Sequence, residues 1–114
     1  LSEKKFAFTK ELNSQQRARL KGLAHALKPV VQVGGSGLND KVVAEIAMAL
    51  NAHQLIKIQL PGQTDAAQKK EETENLIAKL PKNSHIVGRI GRMVILFLEK
   101  APTETPAIRL DKLN

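Results

Sequence analysis

The sequence predicts an α/β domain with a single mixed four-stranded sheet and helices packed on it, in the order α-β-α-β-α-β-β, on three observations. Apolar residues recur at helical spacing in three segments, each opened by an Asn or Asp able to cap a helix. Four short runs rich in Val, Ile and Leu alternate with or follow those segments. The last two runs are separated only by Gly91-Arg92, a hairpin turn, whereas the earlier ones are separated by helices and need crossover connections.

The first helix is expected from Asn13 to Leu27. Asn13 is its N-cap, Gln16 stands where it closes a capping box, and Leu20, Leu23, Ala24 and Leu27 form the apolar stripe. Lys28-Pro29 ends it. Val30 to Val33 is a short β-branched strand that stops at Gly34-Gly35-Ser36-Gly37, a tight loop. The second helix starts at the cap Asn39 and runs to about Ala52, with Val43, Ile46, Ala47 and Leu50 facing inward. In Leu55 to Leu60 the residues Ile56, Ile58 and Leu60 alternate with Lys57 and Gln59, which predicts a strand with one solvated face, ended by Pro61-Gly62. A third helix follows the cap Asp65, carries Thr73, Leu76, Ile77 and Leu80 inward, and is stopped by Pro81. His85 to Ile90 and Met93 to Leu98 form the hairpin, and the unbroken apolar run Val94 to Leu98 predicts a central strand covered on both faces. After Lys100 a Pro- and Thr-rich tail is expected to be loose, with Ile108 and Leu110 as points where it could dock.

Composition narrows the function. A length of 114 residues suits one domain, and 42% hydrophobic with 25% charged residues is a globular mixture. The absence of cysteine excludes disulfides and thiolate metal sites and fits a reducing compartment, so a cytoplasmic location is expected. No apolar run approaches the roughly 18 residues of a membrane span. The net charge of +7 is unevenly placed: residues 1–61 carry nine Lys or Arg against four acids, and residues 62–114 carry nine against seven. A basic excess of this kind points to phosphates or to an acidic partner.

Two features could use that charge. Gly34-Gly35-Ser36-Gly37 lies between a strand and a helix start, where backbone N–H groups and the positive helix end can receive a phosphate oxygen. The same glycines also suit a plain strand-to-helix turn, and the spacing fits neither a Walker loop nor a dinucleotide fingerprint. Arg17, Lys21, His25 and Lys28 recur at spacings of four, four and three, so they line one side of the predicted first helix beside its apolar stripe. Lys41 stands just past the loop, in the first turn of the second helix. The third helix instead sets Lys69, Lys70 and Lys79 against Asp65, Glu71, Glu72 and Glu74.

Enzymatic readings find little support. His25, His53 and His85 lie on three separate elements without a metal-ligand spacing, and the acids are interleaved with lysines, so neither a catalytic residue nor a metal or other cofactor is expected. With no Trp or Tyr and only Phe6, Phe8 and Phe97, stacking on bases is not the expected main mode, which leaves capture of a nucleic-acid backbone.

The stretch from Leu20 to Leu38, LKGLAHALKPVVQVGGSGL, closely resembles the signature of the CRM domain, the chloroplast RNA splicing and ribosome maturation domain. Ala44-Glu45-Ile46, His53-Gln54-Leu55-Ile56-Lys57 and Ile90-Gly91-Arg92-Met93-Val94-Ile95-Leu96 fit the same pattern, so the resemblance covers residues 13–99, leaving 1–12 as an extension and 100–114 as a tail. It implies a fold similar to the C-terminal domain of translation initiation factor three, with Gly34 and Gly37 as the ends of a GxxG loop compared with that of KH domains. A stand-alone copy is similar to bacterial YhbY-type proteins. The resemblance thus implies RNA binding, with precursor rRNA of the large ribosomal subunit as the partner and no membrane or small-molecule substrate. A module docking an acidic protein is the alternative. One departure is Phe97-Leu98-Glu99, where the family pattern has a tyrosine followed by a basic residue.

Overall fold

A computed structural model of the chain describes residues 7–35, 37–62 and 65–110. Three helices, α1 (Ser14–Ala24), α2 (Asp40–His53) and α3 (Ala66–Lys79), alternate with strands β1 (Pro29–Gln32), β2 (Leu55–Gln59), β3 (Ser84–Ile90) and β4 (Met93–Leu98). The sheet order is β1-β2-β4-β3, with β1 and β2 parallel and β4 inserted antiparallel between β2 and β3. The expected order and mixed sheet are therefore observed.

The sheet is covered on both faces, and strand alternation sorts the core into two clusters. On one face Val31, Val33, Ile56, Ile58, Leu60, Val94, Leu96 and Leu98 meet Val43, Ile46 and Leu50 of α2 and Leu76 and Leu80 near α3. On the other, Leu55, Val87, Ile95 and Phe97 meet Leu20 and Ala24 of α1, with Leu12 and Leu110 at the margins. Residues 94–99 are all buried, which explains why the sequence there shows an apolar run without alternation. Each helix starts where its cap requires: Asn13 and Asp65 close capping boxes with Gln16 and Gln68, and Asn39 accepts from the Val42 N–H at 2.9 Å.

Three expectations are corrected. The helix α1 ends at Ala24, three residues early, so Leu23 and Leu27 are not core residues but 52% and 38% exposed. The helix packs on β3, β4 and β2, with Arg17 and Lys21 at β3 and the residues after Ala24 at Lys57 of β2. With Val30, His53 and Ile108, these leucines line an apolar groove of about 510 Å³. Second, the polar side of β2 is not simply solvated. Leu55 is buried under α1, and the Lys57 Nζ donates to the His25 and Leu27 carbonyls at 3.3 and 2.9 Å, capping the helix end from below. Third, the chain after Lys100 returns to the sheet: Leu110 is buried, and the Gln54 side-chain amide donates to the Ile108 carbonyl at 2.7 Å while accepting from the Ile108 N–H at 2.9 Å. Among the described residues no helix is long and apolar enough to cross a membrane.

Candidate nucleic-acid interface

The sheet has two ends. The starts of β1, β2 and β3 and the finish of β4 lie at one; the Gly34–Gly37 loop, Pro61-Gly62 and the Gly91-Arg92 turn lie at the other. The glycine loop continues directly from the β-ladder, since the Val33 N–H still donates to the Gln59 carbonyl at 2.8 Å. The Gly37 N–H closes the loop on the Gly34 carbonyl at 3.0 Å, leaving Gly35 as the described residue at the tip. Ser36 lies outside the described residues. Among the described loop residues only Gly37 has a left-handed backbone, with φ +76°, and so requires glycine for its own conformation. Gly34 and Gly35 have no such requirement, and a Cβ on either would meet nothing within 4 Å. Lys41 is exposed in the first turn of α2, just beyond.

The cationic side of α1 is divided by its early end. Arg17 and Lys21 belong to the helix; His25 and Lys28 follow it, all but Arg17 exposed. The Arg17 Nη1 donates to the Ile86 and Val87 carbonyls at 2.8 and 2.9 Å, where a bulge between Ile86 and Gly88 interrupts the β3–β4 ladder. Lys21 extends over Gly88, close enough that a Cβ there would lie 2.7 Å from its Cε. Lys28 lines the apolar groove with Leu23 and Leu27. Thus Lys21 lies over Gly88 of β3, Arg17 serves the bulge, and Lys28 borders an apolar surface. Arg19, also exposed on α1, was absent from the sequence-derived set because it breaks the four-residue spacing.

Glu99, the departure from the family pattern, is buried far from the loop. It accepts from the Thr9 N–H at 2.7 Å and Thr9 Oγ1 at 3.2 Å, and its Oε1 lies 3.6 Å from the His85 Nε2. Burial holds the His85 imidazole below its ordinary pKa of 6.5, with Glu99 opposing and Arg17 reinforcing that shift. The cluster fastens the N-terminal segment to the sheet. Among the described residues no group of three or more His, Cys, Asp or Glu could hold a metal ion.

Comparison with known proteins shows the family and the fold. The model of the CRS1 / YhbY (CRM) domain matches residues 12–97. An RNA-binding protein of Haemophilus influenzae is 40% identical over 101 residues, which is 89% of this chain and 96% of that one. The Bacillus subtilis protein named Probable RNA-binding protein YqeI is 35% identical over 77% of this chain and 88% of its own length. The solution structure of the hypothetical protein SAV1595 from Staphylococcus aureus superposes with a TM-score of 0.68 at 31% identity, covering 79% of this chain and 91% of that one.

Proposed function

The chain belongs to the CRS1 / YhbY (CRM) domain family, and from that premise we propose that it is an RNA-binding protein that grips the phosphate backbone with the Gly34–Gly37 loop and the basic side of α1. Its partner in this reading is precursor rRNA, and its task is assembly of the large ribosomal subunit in the cytoplasm. The observation that supports it best is that exposed Lys21 lies over Gly88, two residues before the end of β3 that shares the glycine loop's end of the sheet. Lys41 adds charge beside the loop, and Lys28 extends it along the chain leading into β1, where His25 also lies exposed.

Replacing Gly35 and Ser36 by Asp tests the loop, because two carboxylates would then stand where a phosphate is expected. At Gly35 a side chain has room, so the thermal melt should stay near that of the parent while RNA affinity falls at least tenfold. A parent-like melt with undiminished affinity would show the loop to be only a turn.

A second reading draws on the apolar groove of Leu23, Leu27 and Val30, rimmed by Lys28 and His53, which suits an acidic protein segment with apolar side chains. Leu27→Asp separates the two, since it should weaken a protein partner and leave RNA titrations unchanged.

A further inference from the structure

The strand registers bring Gln32, Gln59, Met93 and Ile90 into a single row across all four strands, for Gln32 pairs with Gln59, Gln59 with Met93, and Met93 with Ile90. Alternation puts the row on the α1 face: Val31 and Val33 flank Gln32 on the opposite face, Leu55 and Lys57 share the side of Gln59, and Ile95 and Phe97 share that of Met93. The next row toward the far end, Lys57, Ile95 and Gly88, already meets α1 and the residues that follow it, with Lys57 bonded to the His25 and Leu27 carbonyls and Gly88 under Lys21. Gln32 is exposed, Gln59 and Met93 are half-buried, and Ile90 is 59% exposed although it is a large aliphatic side chain in a strand.

We infer that this row is a base-contacting platform for single-stranded RNA, resting on the RNA-binding reading above and assigning it a second set of contacts. The two phosphate-directed features lie at its opposite ends. The glycine loop starts two residues after Gln32 at the β1 end, and Lys21 covers Gly88, two residues before Ile90 at the β3 end. Three inter-strand steps of about 4.8 Å separate those ends by roughly 14 Å, so a backbone held at both must pass along the row. The chemistry of the row suits bases. Each Gln amide presents a donor and an acceptor side by side, matching the hydrogen-bonding edges of an unpaired base, while Met93 and Ile90 offer apolar surface to a base face. No acid lies in the row to repel the adjoining phosphates. Without an aromatic ring the platform discriminates by edges, so base preference is modest, several-fold between homopolymers.

The test compares the wild-type protein with the Gln32→Ala/Gln59→Ala variant, using short oligo-A, oligo-C, oligo-G and oligo-U and an abasic oligonucleotide of equal length. The expected result is that the wild type binds base-bearing RNA at least five times more tightly than the abasic strand and ranks the homopolymers. The variant should lose the ranking and approach the abasic affinity, which itself stays unchanged. In the wild type, NMR signals of the Met93 and Ile90 methyl groups should move on adding oligonucleotide, a readout that holds even if the variant does not fold. Equal wild-type affinity for abasic and base-bearing strands, or unmoved methyl signals at saturation, would overturn the platform while leaving RNA binding intact. Retention of the ranking by a folded variant would also overturn it. Binding to none of the strands would instead remove the RNA-binding reading on which it rests.

Discussion

Arg17 shows how a side chain chosen for its charge can serve the fold. The bulge at Ile86–Gly88 takes carbonyls out of the β-ladder, and one guanidinium nitrogen reaches both the Ile86 and Val87 oxygens from α1. Hydrogen bonds from a charged donor contribute about 1.5–3 kcal/mol, so Arg17→Ala should lower the urea midpoint as well as any RNA affinity, whereas Lys21→Ala should change affinity alone. His85 gives a pH dependence whose sign follows from its burial. Its folded pKa lies below the unfolded value, so in the window between them the unfolded chain binds more protons. Stability is therefore full above the ordinary value of 6.5 and is lost as pH falls through it toward the lower folded pKa. Urea unfolding at about pH 7.5 and about pH 5.5 should show the loss, and His85→Gln should reduce it. Sequence alone offered no sign of this. His85 reads as an isolated surface or packing histidine until the fold places it against Glu99, Thr9 and Phe97, from residues at both ends of the chain.

At the scale of elements, the caps were the most legible signals, because a capping box is a contact between residues three apart. Asn13-x-x-Gln16 and Asp65-x-x-Gln68 both form as their spacing requires. Since α1 has only 11 residues, Asn13→Ala should cost about 1 kcal/mol and appear as a lower thermal midpoint. Helix ends were less legible. Leu23 and Leu27 continue the helical period, but α1 stops at Ala24, and nothing local announces that Lys57 will cap it from a strand some thirty residues away. The glycine loop was legible as a turn and not in its detail: among its described residues only Gly37 carries the left-handed backbone. Gly34→Ala should accordingly leave the thermal melt unchanged, while Gly37→Ala should lower stability by about 1–2 kcal/mol.

For the whole molecule, periodicity sufficed for the order of elements and for the doubly buried β4, whereas the cover over Leu55 and Lys57 of β2 comes from α1 and was not legible. The candidate interface was only half legible, because a row across four strands requires registers that no single segment encodes. If Lys21, Lys28 and Lys41 each neutralise one phosphate, the logarithm of the affinity for single-stranded RNA should fall with the logarithm of salt concentration at a slope of about −2. A titration series between low and moderate salt measures it, and a flat line would exclude phosphate capture. The anchors of the chain's two outer segments have a practical side. Thr9 is bonded to Glu99, and Ile108 to Gln54, both at the sheet end opposite the glycine loop. A dye or a surface linker attached at Lys10 or Ala107, exposed neighbours of those anchors, would therefore sit at the rear of the molecule, and a protein immobilised there would present its loop and Gln32–Ile90 row outward.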